Sequence, residues 1–176
     1  MIEKIIIAGA GGQGIMLLGK VLAEAAMQEG KFVTWLPAYG AEVRGGTAHC
    51  MVIISDRRIG SPRINQPDSL IIMNNPSLKK FKERVKNKTL LIINSSLVDK
   101  LPPKNTETLS HPFTDLAIKL GNIKVANMLA LGCYFARKNI VEEKTVLKVI
   151  FEMAPADKKG LVEINQKALK EGLRLR

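Results

Sequence analysis

Cysteine is scarce in this sequence, which contains only Cys50 and Cys133 in 176 residues. They lie far apart, and neither has a partner at the spacing of a metal-binding or redox motif. The sequence therefore encodes no disulfide framework and no iron–sulfur cluster, and its two histidines, His49 and His111, do not make a metal set. A reducing cytoplasm is the natural setting for such a chain. We expect a cytoplasmic protein with no metal ligands of its own.

Long apolar runs are also lacking. Gly, Lys or Glu interrupts every apolar stretch well before the roughly 20 residues that a membrane-spanning helix needs. The opening Met-Ile-Glu-Lys leads straight into a strand-like segment and shows no basic leader with a cleavage site. We therefore predict neither membrane insertion nor export.

Acidic residues are few, with 16 Asp and Glu against 27 Lys and Arg and a net charge of +11. Such a surface attracts acidic proteins, phosphates or nucleic acid. The densest basic stretch, "KKFKERVKNK" at 79–88, has helical spacing and no flanking aromatic side chains. Stacking aromatics are typical of single-strand binding sites, so we interpret this stretch as a solvated helix face and predict no nucleic-acid partner.

The order of elements predicts an α/β fold. Buried strands are expected at 4–8, 32–37, 47–54, 68–74 and 89–96, with a helix from Ile15 until Gly30 and another after Asn75 as N-cap and Pro76 as first helical residue. Pro37 is expected to end the second strand. Such alternation indicates a Rossmann-like, largely parallel sheet with helices on both faces.

Beyond a proline-containing loop near residue 105 the pattern turns helical. Amphipathic spacing predicts helices at 112–121, 123–138, 142–154 and 162–173. This helical C-terminal part alone would bury too little surface to fold independently. We therefore predict a single domain over residues 1–176.

The stretch "IIIAGAGGQGIMLLGK" at 5–20 places Gly9, Gly11, Gly12 and Gly14 between the first strand and the first helix. Such a turn lets a phosphate approach the helix N-terminus, although it can equally serve only close packing of helix on sheet. An NAD site also needs an acidic residue at the end of the second strand, where this sequence has "TWLPAY". A dehydrogenase is therefore disfavoured, and "GIMLLGK" matches a P-loop only inside the predicted helix.

A second motif, "PAYGAEVRGGTAHCMVIIS" at 37–55, places Tyr39, Glu42 and Arg44 among three further glycines, Gly40, Gly45 and Gly46. Loops of this composition commonly bind ligands, because the sheet fixes their position. The loop is expected at the same carboxyl edge of the sheet as the glycine turn. The two motifs are therefore predicted to line one crevice.

The two motifs, with "SDRRIGSP", "DSLIIMNNPSLKKF", "LLIINSSLV" and "VANMLALG", resemble the gamma subunit of 2-oxoacid:ferredoxin oxidoreductases over most of the chain. The pattern is most similar to the 2-oxoglutarate enzymes (KGOR type), and the pyruvate, branched-chain and indolepyruvate enzymes remain alternatives. The resemblance implies an enzyme complex that uses thiamine diphosphate with Mg, iron–sulfur clusters and coenzyme A, and that reduces ferredoxin.

By the same resemblance, the thiamine diphosphate, the Mg and the iron–sulfur clusters belong to alpha, beta and ferredoxin-like delta subunits. This chain is then a non-catalytic subunit, inactive when isolated and with no catalytic residue, whose exposed subunit face leaves a homodimer open. The residues that fall on the family's motifs are Gly9, Gly11, Gly12, Gln13, Gly14, Tyr39, Gly40, Glu42, Arg44, Gly45 and Gly46.

Two roles for these motif residues stay open at this stage, coenzyme A contact and pure subunit interface. The alternative function is a free-standing nucleotide-binding protein that uses the same turn. His49 and Cys50 are interpreted as structural, and Asn127 as a cap or a bridge at an interface.

Overall fold

A six-stranded sheet forms the centre of the computed structural model, which describes residues 1–38, 47–99, 106–155 and 159–175. The strands are β1 (Ile2–Ala10), β2 (Phe32–Ala38), β3 (Thr47–Ser55), β4 (Ser69–Ile72), β5 (Leu90–Asn94) and β6 (Thr108–His111). The helices are α1 (Ile15–Gln28), α2 (Asn75–Phe81), α3 (Phe113–Lys119), α4 (Ala126–Phe135), α5 (Glu143–Glu152) and α6 (Lys159–Leu173). Short 3-10 turns follow α2 and precede α4.

The strand order is β2-β3-β1-β4-β5-β6, and five of these strands run in one direction. Only β3 runs the other way, antiparallel to both β1 and β2. Eight positions separate β2 from β3 in the sequence, too few for the helical crossover that a parallel neighbour would need. The expected α/β fold with a largely parallel sheet is therefore confirmed, with one antiparallel strand inserted beside β1.

Three local predictions were wrong. The strand β6 was missed, because this edge strand is only half-buried and its short run Thr108–His111 carries no clear alternation. The N-cap of α2 is Asn74, one residue before the expected Asn75, since the Asn74 Oδ1 accepts a hydrogen bond from the Ser77 N–H at 3.0 Å. Pro37 lies within β2, where it is tolerated because β2 is an edge strand.

The sheet buries apolar side chains on both faces. One core cluster includes residues of α1, α4 and α6, such as Leu18, Leu129 and Leu169, and the opposite cluster includes Leu78 and Phe81 of α2. Helices on both faces and a helical C-terminal part are thus present as expected. In the described ranges, no helix combines the length and apolar character needed to cross a membrane.

The helices α4 and α6 approach each other at two glycines. A Cβ atom built on Gly132 would overlap the Leu169 carbonyl oxygen, and one built on Gly172 would overlap the Leu129 carbonyl oxygen. Both obstacles are backbone atoms, which cannot swing aside as a flexible side chain can. Close helix contact therefore requires glycine at both positions.

We predict that Gly132→Ala destabilises the protein by about 2–3 kcal/mol, since the added methyl group overpacks a backbone contact. Chemical denaturation of the purified chain measures this change. The matched control is Gly160→Ala on α6, where no heavy atom lies within 4 Å of the new Cβ. That control should stabilise by up to about 1 kcal/mol, because alanine favours the helix. Equal effects at both positions would contradict the packing argument.

Candidate functional site

The glycine turn joins the end of β1 at Ala10 to the start of α1 at Ile15. Gly12 and Gly14 adopt left-handed backbone angles, with φ of 88° and 69°, which favour glycine. Gly9 lies within β1, and a Cβ there would stand 2.6 Å from the Gln13 Oε1. Gly11 and Gly12 are exposed at the tip of the turn. The turn thus has both a closely packed base and an accessible tip.

The Gln13 side chain fixes the base of the turn. Its Oε1 accepts a hydrogen bond from the Ala10 N–H at 2.7 Å, and its Nε2 donates to the Met73 carbonyl at 3.2 Å. Asn94 also donates to that carbonyl, at 3.3 Å, and to the Thr114 hydroxyl at 2.8 Å. A row of side-chain amides therefore links the carboxyl ends of β1, β4 and β5 to the start of α3.

Asn127 ties the turn to the C-terminal helices. Its Nδ2 donates to the Gly14 carbonyl at 3.1 Å, while its Oδ1 accepts from the Met128 N–H at 2.9 Å. The side chain is buried, and its Nδ2 occupies the space that a Cβ on Gly14 would need. Asn127 therefore bridges α4 and the turn within this chain, and the interface role interpreted from the sequence stays a prediction.

The N-terminus of α1 differs from its two neighbours at this edge. Asn74 caps α2, and the first-turn N–H groups of α3 donate to the Asn94 Oδ1 and the Ser96 Oγ, both at 3.2 Å. In contrast, no side chain among the described residues caps α1, whose N-cap is Gly14. Uncapped N–H groups and the positive end of the helix dipole favour an anionic partner there.

The second motif cannot be placed residue by residue. Tyr39, Gly40, Glu42, Arg44, Gly45 and Gly46 lie outside the described residues. The strand register nevertheless fixes both ends of their loop, because Thr47 pairs with Ala10, and Ala38 pairs with His49. Both ends lie at the carboxyl edge of β1, as expected. That the loop and the glycine turn line one crevice stays a prediction.

A cation that the sequence interpretation missed lies at the same edge. The Lys80 Nζ donates to the hydroxyl of Thr47, the residue that pairs with Ala10, at 3.1 Å. Lys80 is exposed, and its ammonium group lies 5.7 Å from the centre of the Phe81 ring. In the sequence Lys80 is one of several lysines in a basic run. Its location near the turn results from its position in α2, which composition does not reveal.

His49 packs edge-on against Phe81, with 5.0 Å between the ring centres. Burial lowers the pKa of His49, and the positive charges of Lys80 and Arg84 lower it further. The ring is therefore neutral at pH 7, and its buried Nδ1 has no hydrogen-bond partner within the described part of the chain. These properties fit the structural role expected of it.

The strand order gives a second reason against an NAD site. In a dinucleotide-binding fold the acidic residue ends the strand next to β1. Here β3 lies between β1 and β2, so the end of β2 is two strand spacings, roughly 10 Å, from β1. Besides, the β2 sequence Phe32–Ala38 contains no Asp or Glu.

The described residues do not fit a metal or an iron–sulfur cluster. Cys50 and Cys133 are buried free thiols, and burial raises their pKa values to about 12 and about 11. Within the described ranges, no three His, Cys, Asp or Glu side chains come close enough together to hold a metal ion.

Comparisons with known proteins agree on one family. A family model described as pyruvate ferredoxin/flavodoxin oxidoreductase matches residues 4–175. The ketoisovalerate oxidoreductase subunit VorA of Methanothermobacter marburgensis is 36% identical over 171 residues, which make up 96% of this chain and 35% of that protein. The 2-oxoglutarate synthase subunit KorC of Methanocaldococcus jannaschii is 34% identical and covers 98% of this chain and 92% of its own length.

A solved structure shows the same fold. The gamma subunit of a keto/oxoacid ferredoxin oxidoreductase from Geobacter sulfurreducens is 33% identical, with a TM-score of 0.84. The match covers 98% of this chain and 96% of that one. The chain therefore resembles a whole subunit in one set of relatives and about a third of a longer chain in VorA.

We predict that Gly14→Ala destabilises the protein by about 2–4 kcal/mol, since it combines a left-handed backbone with a clash against Asn127. Gly12→Ala is the matched control, because its backbone is also left-handed but no atom lies within 4 Å of the new Cβ. It should cost about 1 kcal/mol.

A double-mutant cycle with Asn127→Ala separates the clash from the backbone strain. Urea unfolding measures the free energy of unfolding of the wild type, the two single variants and the double variant. The double variant should be at least about 1 kcal/mol more stable than the sum of the two single effects predicts. Strict additivity would show that Asn127 does not confine the turn.

Proposed function

The chain belongs to the pyruvate ferredoxin/flavodoxin oxidoreductase family, and from this premise we propose that it is a non-catalytic gamma subunit of a 2-oxoacid:ferredoxin oxidoreductase. In the proposed complex, a 2-oxoacid, coenzyme A and oxidised ferredoxin give an acyl-coenzyme A, CO2 and reduced ferredoxin. Thiamine diphosphate, Mg and the iron–sulfur clusters would be carried by alpha, beta and ferredoxin-like delta subunits. We further propose that residues 1–176 form one domain and that the complex works in the cytoplasm.

The substrate that we propose is 2-oxoglutarate, which would yield succinyl-coenzyme A. The KorC relative supports this choice because it matches the chain over nearly its full length, whereas VorA is a longer protein. Relatives named for ketoisovalerate, and one for both pyruvate and ketoisovalerate, keep pyruvate and branched-chain 2-oxoacids as alternatives. Indolepyruvate is a further alternative.

The uncapped N-terminus of α1 is the observation that carries the proposal. Side chains accept from first-turn N–H groups of its neighbours α2 and α3, whereas no side chain of the described residues caps α1 beside the exposed Gly11 and Gly12. A group supplied from outside the described part of the chain is expected to satisfy them. A coenzyme A phosphate or a partner's carboxylate has the right charge.

Two roles for this edge follow from that argument. In the first, α1 and Arg44 hold coenzyme A while the reaction takes place on the neighbouring subunits. In the second, the same N–H groups accept an acidic side chain of a partner and only close the active-site entrance. A free-standing nucleotide-binding protein remains the alternative function, because the turn alone is compatible with it.

We predict that the tagged chain, purified anaerobically from its own cells, carries thiamine- and cluster-bearing subunits with it. Mass spectrometry of the eluate identifies these subunits, and 2-oxoacid-dependent ferredoxin reduction measures the activity. The separated chain should show no activity, because the described part has no catalytic constellation or metal site. A chain that elutes alone with a bound nucleotide would support the free-standing alternative.

We predict that Arg44→Ala in the assembled complex weakens coenzyme A binding by about tenfold, as loss of one charge-assisted contact does. Isothermal titration with coenzyme A measures the dissociation constant. Arg174→Ala is the matched control, because Arg174 pairs with Glu171 near the exposed end of α6. If Arg44→Ala leaves the affinity unchanged, the coenzyme role of Arg44 fails and the interface role remains.

A further inference from the structure

The positive charge of this chain is concentrated in one segment. Residues 57–88 contain nine basic and two acidic side chains, the latter being Asp68 and Glu83. The C-terminal ranges 106–155 and 159–175 are longer but contain ten basic and seven acidic side chains. The excess of basic over acidic residues therefore lies mostly in a short part of the sequence.

The parts of this segment before and after β4 cover one face of the sheet. Ile64, Leu78 and Phe81 are buried in the same core cluster, against the side of the sheet opposite α1 and α4. Because the apolar side chains of the segment point into the sheet, its basic side chains project outward. Eight of the nine are exposed, and Arg84 is half-buried. We call these nine side chains the cationic face.

Several contacts hold the cationic face in place. The Arg84 Nη1 donates to the Ile64 carbonyl at 2.8 Å, which joins the turn after α2 to the loop before β4, and its guanidinium carbon lies 5.4 Å from the Phe81 ring centre. At one end, Lys80 reaches Thr47 at the carboxyl edge. At the other end, Lys86 and Lys88 line a cavity of about 520 Å³ together with Lys4 and the acidic Asp68.

Neutralising charge is missing from this face. Among the described residues its single ion pair joins Lys82 and Glu83 at 3.8 Å, in full exposure to solvent. Asp68 instead accepts a hydrogen bond from the Lys4 backbone N–H at 2.9 Å. By contrast, the C-terminal helices pair several of their cations, as in Arg174 with Glu171 and Lys148 with Glu152. Close like charges repel one another, so an acidic surface docking here would gain free energy.

We propose that the cationic face docks an acidic surface of another protein subunit of the same complex. This inference rests on the proposed function and deepens it by naming the surface and the chemistry of the partner. A nucleic acid is the less suitable occupant. The one aromatic side chain in the segment is Phe81, which is buried and cannot stack on a base.

One end of the cationic face lies close to the glycine turn. Lys80 belongs to the cationic face and contacts Thr47, which pairs with Ala10 at the start of the turn. A partner seated on this face therefore reaches the edge where the N-terminus of α1 is uncapped. The partner would then be placed to contact both features.

Charge reversal tests the proposal in the assembled enzyme. The test variant changes four exposed residues to Glu: R58E, R63E, K82E and K86E. The control variant makes the same change in charge on the C-terminal helical part: K119E, K124E, K167E and K170E. Each chain is titrated, by biolayer interferometry, against the other subunits purified from the complex. Circular dichroism checks that both variants fold.

The test variant should bind the other subunits at least about tenfold more weakly at physiological salt, and the control should change less than about twofold. Wild-type affinity should also fall steeply between about 0.05 and 0.5 M NaCl, since salt screens exposed charges. Equal weakening of subunit binding by the test and control variants would overturn the proposal. It would also be overturned if the test variant assembled normally but lost binding to an RNA or DNA oligonucleotide. A wild-type chain that binds no other subunit would instead refute the proposed function itself.

Discussion

The carboxyl edge of the sheet depends on one side chain, that of Gln13. Its amide accepts from the Ala10 N–H and donates to the Met73 carbonyl, so it closes the turn and links β1 to the residue that follows β4. Met73 is itself held by its N–H, which donates to the Ala8 carbonyl at 2.9 Å. Because the Gln13 amide fills the space beside Gly9, the glycine there is a consequence of this bond.

Polar contacts bind α4 to the amino end of β1 and to the turn that follows its carboxyl end. At the turn the link is Asn127 of α4, which donates to the Gly14 carbonyl. At the amino end Glu3 is buried, and its Oε1 accepts from the Ser69 hydroxyl at 2.6 Å and from the Tyr134 hydroxyl at 3.4 Å. Burial and the neighbouring Glu3 raise the pKa of Tyr134 well above its usual range, so the phenol stays protonated and can donate. Helix α4 is thereby fixed along the length of the central strand.

Local patterns in the sequence predicted the turn, α1, five strands and the helical C-terminal part, because each has a clear period or a clear stop signal. They could not predict that β3 lies between β1 and β2, since strand order depends on pairings between distant segments. The same limit applies to the site. The Asn127–Gly14 contact spans 113 residues, and Lys80 reaches Thr47 across 33. Gly9, Gln13 and Gly14 were identifiable as a group, but their bonding partners were not.

Some polar groups of this chain have hydrogen-bond or ion-pair partners within it, and others lack them among the described residues. The half-buried Gln13 and the buried Asn94 and Glu3 have their hydrogen-bond partners within the chain. In contrast, no side chain among the described residues caps the N-terminus of α1, and the cationic face has only one ion pair there, between Lys82 and Glu83. Both are electropositive, and the Lys80–Thr47 contact brings one end of the cationic face to the carboxyl edge at which α1 begins. Because both features favour anionic groups and share this edge, one acidic partner surface is a simpler occupant than two separate ligands.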